Sequence, residues 1–461
     1  MSRGPQRDFT SGSIPRHIVA FSVPMFAGNL LQMLYNVVDS IWVGQTMGAG
    51  ALGAVSVSMP LIFALLSLVL GLTMATTTLV SQFRGAGNEP MVRRTIGTSL
   101  VILGALGVLI SIIGVVFRYP LLRMISTPAE IINDAASYLG VFMGGILGLF
   151  LFNTLGAILR GLGDAQTPLK SLAVATTLNI ILDGVFLLGL DMGVAGVAWA
   201  TIISQGLSSV WLLWYMLKNT DLIRLERSYF TVDRTLSGSI FKIGLPAGLQ
   251  QALVSLGMVA TTALINSFGS DVVAAFGAAQ RLDQVAFMPA MSMGVAVSAV
   301  VGQNLGARQF DRAAAAVRWG SLIATGVTAL VTALAILKPT VLIVLFTKDP
   351  AVLTEGAKYL QIVGWSYVPF ALIFIISGVL RGAGDAIPPM IMTVISLWGI
   401  RIPLAYWMAS FMGTAGIWTA ILISACIGLV LHWVYYQTGR WKQKVVAGPK
   451  AGAPVVVDVE G

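Results

Sequence analysis

The stretches LRGLGDAQTPLK (Leu159–Lys170) and LRGAGDAIPPMI (Leu380–Ile391) are near copies of one another. Arg160 matches Arg381 and Asp164 matches Asp385, at an offset of 221 residues. The same offset pairs Gln82, Gly85 and Ala86 with Gln303, Gly306 and Ala307. Within a residue or so it also pairs Pro24 with Pro246, and GVAG (193–196) with GTAG (413–416). The chain is therefore built twice from one plan. Each RGxGD stretch has the composition of a tight turn, and its Arg and Asp are expected to fix that turn rather than bind a substrate.

What lies between these turns is apolar. Of 461 residues 56% are hydrophobic and only 10% are charged, with a mean hydropathy of +0.86. A soluble chain carries roughly a quarter charged residues. This is the composition of a polytopic membrane protein, and its 50 glycines suit closely packed membrane helices. Cys426 is the single cysteine, which excludes a disulfide framework or a cysteine-based metal site within one chain. His17 and His432 sit near opposite ends of the chain and read as interfacial residues.

Apolar runs of about 20 residues between polar breaks predict twelve helices, at 17–46, 51–80, 95–117, 136–160, 166–190, 193–218, 238–267, 272–303, 314–337, 357–381, 387–411 and 414–437. The fold class expected is all-α, with six helices in each of two lobes. An even number of spans per lobe preserves orientation, so the lobes are parallel repeats related by an axis along the membrane normal. The expected divisions are an N-terminal segment (1–16), an N-lobe (17–218), a linker (219–237), a C-lobe (238–437) and a tail (438–461). Placing both termini in the cytoplasm puts most of the 28 Lys and Arg residues on that side, including Arg84, Arg93, Arg94, Lys218, Arg234, Arg308, Arg312 and Arg440. The positive-inside rule fixes that orientation, in the cytoplasmic membrane of the cell. The net charge of +9 is thus a topology signal, and no basic face of a soluble domain is left to suggest a nucleic-acid partner.

Only three acids fall deep inside spans: Asp39, Asp183 and Asp283. A carboxylate at a helix centre costs about 2.5–3.5 kcal/mol on insertion scales, whereas polar pairs that merely hold membrane helices together contribute about 0.6 kcal/mol. Packing alone does not account for two such acids, so they are candidates for carrying an ion. Gln32, Asn36 and Asp39 recur at helical spacing on one face. Asn179 lies one turn before Asp183, Thr176 lies further back, and Thr201, Ser204 and Gln205 line a face of the sixth span. Asp283 is two residues from Arg281, a spacing at which helical side chains do not face one another. Arg401 is the expected partner instead, in an ion pair between helices. Gln250, Gln251, Gln280 and Gln284, with Asp283 and Arg401, are the polar candidates for a cavity in the second lobe. Gln32, Tyr35, Asn36 and Asn153 are those of the first. Thr261 stands where the repeat would place a counterpart of Asp39, so the lobes are chemically unequal.

The LYNVVDSIWVG stretch (Leu34–Gly44), LNIILDGVF (Leu178–Phe186), the doubled LRGxGDA and QNLGA (Gln303–Ala307) together resemble the multidrug and toxic compound extrusion (MATE) transporters over about residues 15–440. The acids in the first lobe look most like the DinF-like branch. The NorM-like branch is expected to place carboxylates in the seventh and tenth spans, and neither span here contains one. The resemblance implies that spans one, five and six pack together, so that Asp39, Asn179, Asp183 and Thr201 converge as an ion-coupling site. Such a site suits one proton shared between two carboxylates or the hard oxygen ligands of Na⁺. The function implied is export of amphipathic, often cationic organic compounds in exchange for H⁺ or Na⁺, by a monomer in contact with membrane lipid and without a cofactor. The rival is a flippase for a lipid-linked substrate, which needs basic groups for phosphate. An intramembrane enzyme needs a nucleophile–base pair or a metal set, and no HExxH, GxSxG or central histidine is present.

Overall fold

A computed structural model describes residues 6–219 and 232–446. Most of the expected linker (219–237), the end of the tail, Arg3, Arg224, Arg227 and Lys450 lie outside those residues. The described chain holds twelve helices long and apolar enough to cross a bilayer. The first six are Ile14–Gly48, Gly50–Gly85, Glu89–Val116, Ile132–Gly161, Gln166–Gly189 and Gly193–Asn219. The second six are Arg234–Asn266, Ser270–Gly306, Phe310–Leu337, Pro350–Gly382, Ile387–Met412 and Thr414–Gln437. They are called the first to twelfth spans below. The first two run almost continuously and part at Gly48, whose φ of 79° only glycine adopts without strain.

The chain forms two compact units. Unit 1 contains Pro24–Gly248 and unit 2 contains Leu249–Pro449 together with Phe9–Val23. In unit 1 the fourth span packs on the sixth through small residues: a Cβ on Gly148 would stand 3.0 Å from the Cα of Gly206. In unit 2 the eighth and tenth spans approach as closely, and a Cβ on Gly378 would meet the carbonyl oxygen of Gly294 at 2.2 Å. Glycine is required there by backbone contact, the device by which membrane helices gain dispersion energy without a hydrophobic drive.

Both RGxGD turns close through their own backbone, Asp164 N–H donating to the Leu159 carbonyl and Asp385 N–H to that of Leu380, each at 2.8 Å. Gly163 and Gly384 take φ of 87° and 86°. Asp164 Oδ1 accepts the backbone N–H groups of Gln166 (2.9 Å) and Thr167 (3.0 Å), which caps the fifth span. Asp385 Oδ2 accepts the Tyr435 hydroxyl at 2.6 Å, tying its turn to the twelfth span. Arg381 donates to Gln250 Oε1 at 3.0 Å.

The QNLGA stretch holds the N-terminal segment of unit 2. Phe9 is fully buried. Its N–H donates to Gln303 Oε1 (3.0 Å), and its carbonyl accepts from Asn304 Nδ2 (3.1 Å) and Arg312 Nη2 (2.9 Å). Its ring packs edge-on against His17 and Phe21. His432 departs from the interfacial reading. It is 1% exposed, with Nδ1 2.7 Å from the carbonyl oxygen of Gly428, because one turn of the twelfth span turns it into packed helices.

Candidate functional site

In unit 1 the first and fifth spans bring two carboxylates to one amide. With its nitrogen turned towards them, the orientation that matches donor to acceptor, Asn179 Nδ2 donates to Asp39 Oδ1 at 2.9 Å and to Asp183 Oδ2 at 3.2 Å. Asn179 and Asp183 are fully buried and Asp39 is half-buried. Helical spacing makes this possible, since Asn179 and Asp183 are four residues apart and share one face. Just beyond Asp183 the fifth span loosens into a π-helical turn, Val185–Gly189, an irregularity frequent at functional sites.

Thr201 reaches this group through Tyr35. The two hydroxyls lie 2.8 Å apart and both residues are buried, and Tyr35, one turn before Asp39, stands beside it. Tyr138 of the fourth span is buried next to both carboxylates. Sequence reasoning passed over it, although a signal existed: Tyr138 and Tyr359 are repeat partners at the same offset as the RGxGD turns.

The chemistry of the group follows from its donors and acceptors. Asn179 offers both its N–H bonds to carboxylates, yet Asp183 Oδ1 is buried without a partner. Thr176 Oγ1 and Gln205 Oε1, also buried, have none either. Two ionised carboxylates so close and so poorly solvated repel strongly. One proton or one small cation relieves that repulsion, and the oxygen-only acceptor set admits either.

The other candidates fall elsewhere. Gln32 and Asn153 face a separate cavity of about 180 Å³, which Asn29 and Arg160 also line, and Asn153 Nδ2 is committed to the Leu149 carbonyl at 2.9 Å. Asn36 is exposed. In unit 2 the Gln250 amide is a structural bracket: it takes Arg381 on one side and donates to Thr393 Oγ1 (2.7 Å) and the Pro389 carbonyl (3.3 Å) on the other. Gln251 is exposed. Gln280, Arg281 and Gln284 line a cavity of about 570 Å³ with Phe346 and Thr347. Gln280 also borders one of about 490 Å³ lined by Ser255, Met258, Thr262 and Asn266.

Asp283 departs from the expected ion pair. Its carboxylate accepts hydrogen bonds from the Tyr359 hydroxyl at 2.5 Å and the Tyr367 hydroxyl at 2.6 Å. Arg401 donates through Nε to Ser424 Oγ at 2.8 Å and lies over the Phe370 ring at 5.4 Å. The two tyrosines, eight residues apart on the tenth span, reach the acid first. Among the described residues no group of His, Cys, Asp and Glu has the arrangement of a metal site.

Comparison with known proteins matches the MatE family model to this chain twice, at residues 24–185 and 246–407. The two matches are displaced by 222 residues, which reproduces the internal repeat. A probable multidrug resistance protein of Bacillus subtilis, YpnP, is 34% identical over 94% of this chain and 97% of its own length. The probable multidrug resistance protein NorM of Thermotoga maritima is 25% identical over 94% of each chain. Among solved structures, the outward-facing conformation of a multidrug resistance MATE transporter superposes with a TM-score of 0.89 at 25% identity, covering 96% of this chain and 99% of that one. A MATE structure in the bent conformation superposes with a TM-score of 0.89 at 25% identity, covering 95% and 97%.

Proposed function

The chain belongs to the MatE family of multidrug transporters, and from that premise we propose that it is an antiporter exporting amphipathic, often cationic organic compounds in exchange for H⁺ or Na⁺. The observation that carries the reading is the bridge Asp39–Asn179–Asp183. A fully buried acid and a half-buried one sharing one amide are costly to leave ionised together and gain by binding a cation. A carrier uses such a group to make its conformation depend on an ion gradient.

In the proposed cycle the site opens outwards and Asp39 takes up the external ion. Neutralising Asp39 weakens its hold on Asn179 and releases the first helix to repack. The same event weakens binding of a cationic substrate, which leaves outwards. The lobes then rock, and the ion departs into the cytoplasm. Coupling requires that ion and substrate favour different states. Support for a carrier that changes shape comes from solved MATE structures in a bent and in a straight conformation. Carboxylates in the first lobe favour the DinF-like branch: the seventh span holds none, and the tenth, which starts earlier than its hydropathy suggests, holds only Glu355 near its N-terminal end, paired with Lys358. The basic loops favour an orientation with both termini in the cytoplasm, and we propose that the carrier works as a monomer in the cytoplasmic membrane. A lipid flippase is less well supported: Arg401 is committed to Ser424 and Phe370, which leaves Arg281 as the one basic residue lining the 570 Å³ cavity.

The test is transport of a fluorescent organic cation in proteoliposomes under separately imposed pH and Na⁺ gradients. The gradient that drives export identifies the ion. Asp39→Asn is expected to abolish driven export while the protein remains folded. Export at the wild-type rate by that variant overturns the reading.

A further inference from the structure

Asp283 has no place in the cycle above, yet it sits in the eighth span of the second unit in surroundings that resemble those of Asp39. We propose that Asp283, gripped by Tyr359 and Tyr367, is a second proton-binding site, so that each repeat carries a protonatable carboxylate on a different helix. The inference rests on the transporter reading for its role but not for its chemistry.

Four observations carry it. The first is the donor set. Both partners of Asp283 are neutral hydroxyls, at 2.5 and 2.6 Å. A tyrosine hydroxyl both donates and accepts. When the acid takes a proton, one hydroxyl can turn from donor to acceptor and the network stays satisfied. A guanidinium partner lacks that freedom, because it cannot accept.

The second is the sparse charge around the acid. From the tenth span, Lys358 and Glu355 pair with one another at 3.6 Å. Glu355 accepts from Trp418 Nε1, and Lys358 donates to Thr414. From the eleventh span comes Arg401, turned to Ser424 and Phe370. On its own helix Arg281 is exposed and lines the 570 Å³ cavity. The remaining wall is aromatic, with Phe276 stacked on Trp418 at 5.8 Å and Phe287 edge-on to Tyr367 at 5.3 Å. A fixed negative charge in such a wall is poorly compensated, and a proton removes it.

The third is access. Gln280 lies three residues before Asp283, on the same helical face, and borders both the 570 and the 490 Å³ cavities. A polar route thus reaches the turn that carries the acid.

The fourth is the backbone. Between the two tyrosines the tenth span tightens into a 3₁₀ turn, Gly364–Ser366, and the eleventh span loosens into a π-helical turn that ends at Arg401. Such interruptions mark hinges and functional sites, and Asp183 of the first unit also stands just before a π-helical turn. Tyr359 and Tyr138 are repeat partners. The repeat has kept the tyrosine, and the acid beside it has moved from the first-span position, Thr261 here, to the eighth span.

The test is infrared difference spectroscopy of purified protein in lipid nanodiscs during a pH titration, reading the carbonyl stretch of protonated carboxyl groups. The double variant Asp39→Asn/Asp183→Asn is expected to keep a carboxyl band that titrates above the range of the solvent-exposed acids, about pH 4, and adding Asp283→Asn to remove that band. Tyr367→Phe, which leaves the acid in place, is expected to displace the band and covers the case in which Asp283→Asn fails to fold. Absence of that band in the double variant, or its persistence unchanged in both Asp283→Asn and Tyr367→Phe, overturns the proposal. The spectrum needs no transport, so failure here is distinct from wild-type export by Asp39→Asn, which overturns the antiporter reading itself.

Discussion

At the residue scale Asn179 joins the two acids of the first unit, donating to both Asp39 and Asp183 from one amide nitrogen. A hydrogen bond to a charged group is worth about 1.5–3 kcal/mol, and about 1.4 kcal/mol is a tenfold change in affinity. These bonds favour the ionised carboxylates, so Asn179→Ala is expected to tighten the apparent affinity for a coupling proton by roughly tenfold or more. The check is driven transport measured against ion concentration. An unchanged midpoint would show that the amide is a packing group. Helical spacing made Asn179 and Asp183 readable as neighbours, and Asp39 stands out as a carboxylate in an apolar span, but only the resemblance implied that the three converge. The contacts of the tyrosines were not readable, although the repeat pairs Tyr138 with Tyr359. A tyrosine is unremarkable in a membrane helix, and only the tertiary fold reveals that Tyr138 lies beside Asp39 and Asp183 while Tyr359 and Tyr367 reach Asp283. The same limit hid the partner of Arg401, since charge suggested an acid and packing supplied Ser424 and Phe370.

At the element scale, hydropathy located all twelve spans but set several ends too far inside. The third span begins at Glu89 and not near 95, and the tenth at Pro350 and not near 357. Caps fix those ends. Asn88 accepts from the Met91 N–H and Asp349 Oδ1 from the Ala351 N–H at 2.8 Å, and a cap acts on hydrogen bonds that hydropathy does not register. The contact of the eighth and tenth spans depends on glycine in the same tacit way. Gly378→Ala is expected to destabilise the purified protein by about 1–3 kcal/mol, the cost of overpacking, seen as a lower unfolding temperature. Gly399→Ala, where a Cβ meets nothing within 4 Å, is the control and is expected to be nearly neutral. Equal effects of the two would contradict the packing argument.

At the scale of the whole molecule, the repeat in the sequence and the doubled family match describe the same duplication. The two units use it unequally, with paired acids in the first and one acid between tyrosines in the second. The proposed orientation has its own check. In a chain with Cys426 replaced by serine, a membrane-impermeant thiol reagent added to intact cells is expected to label Glu130→Cys but neither Ser13→Cys nor Lys444→Cys. The reverse pattern would invert the cycle. The most direct test of the central claim compares two assays of Asp39→Asn in proteoliposomes: gradient-driven export, and exchange of labelled for unlabelled substrate with no gradient. Driven export is expected to be lost while exchange persists, because the ion-binding group is gone and the carrier is not. Driven export that persists in Asp39→Asn would contradict that claim.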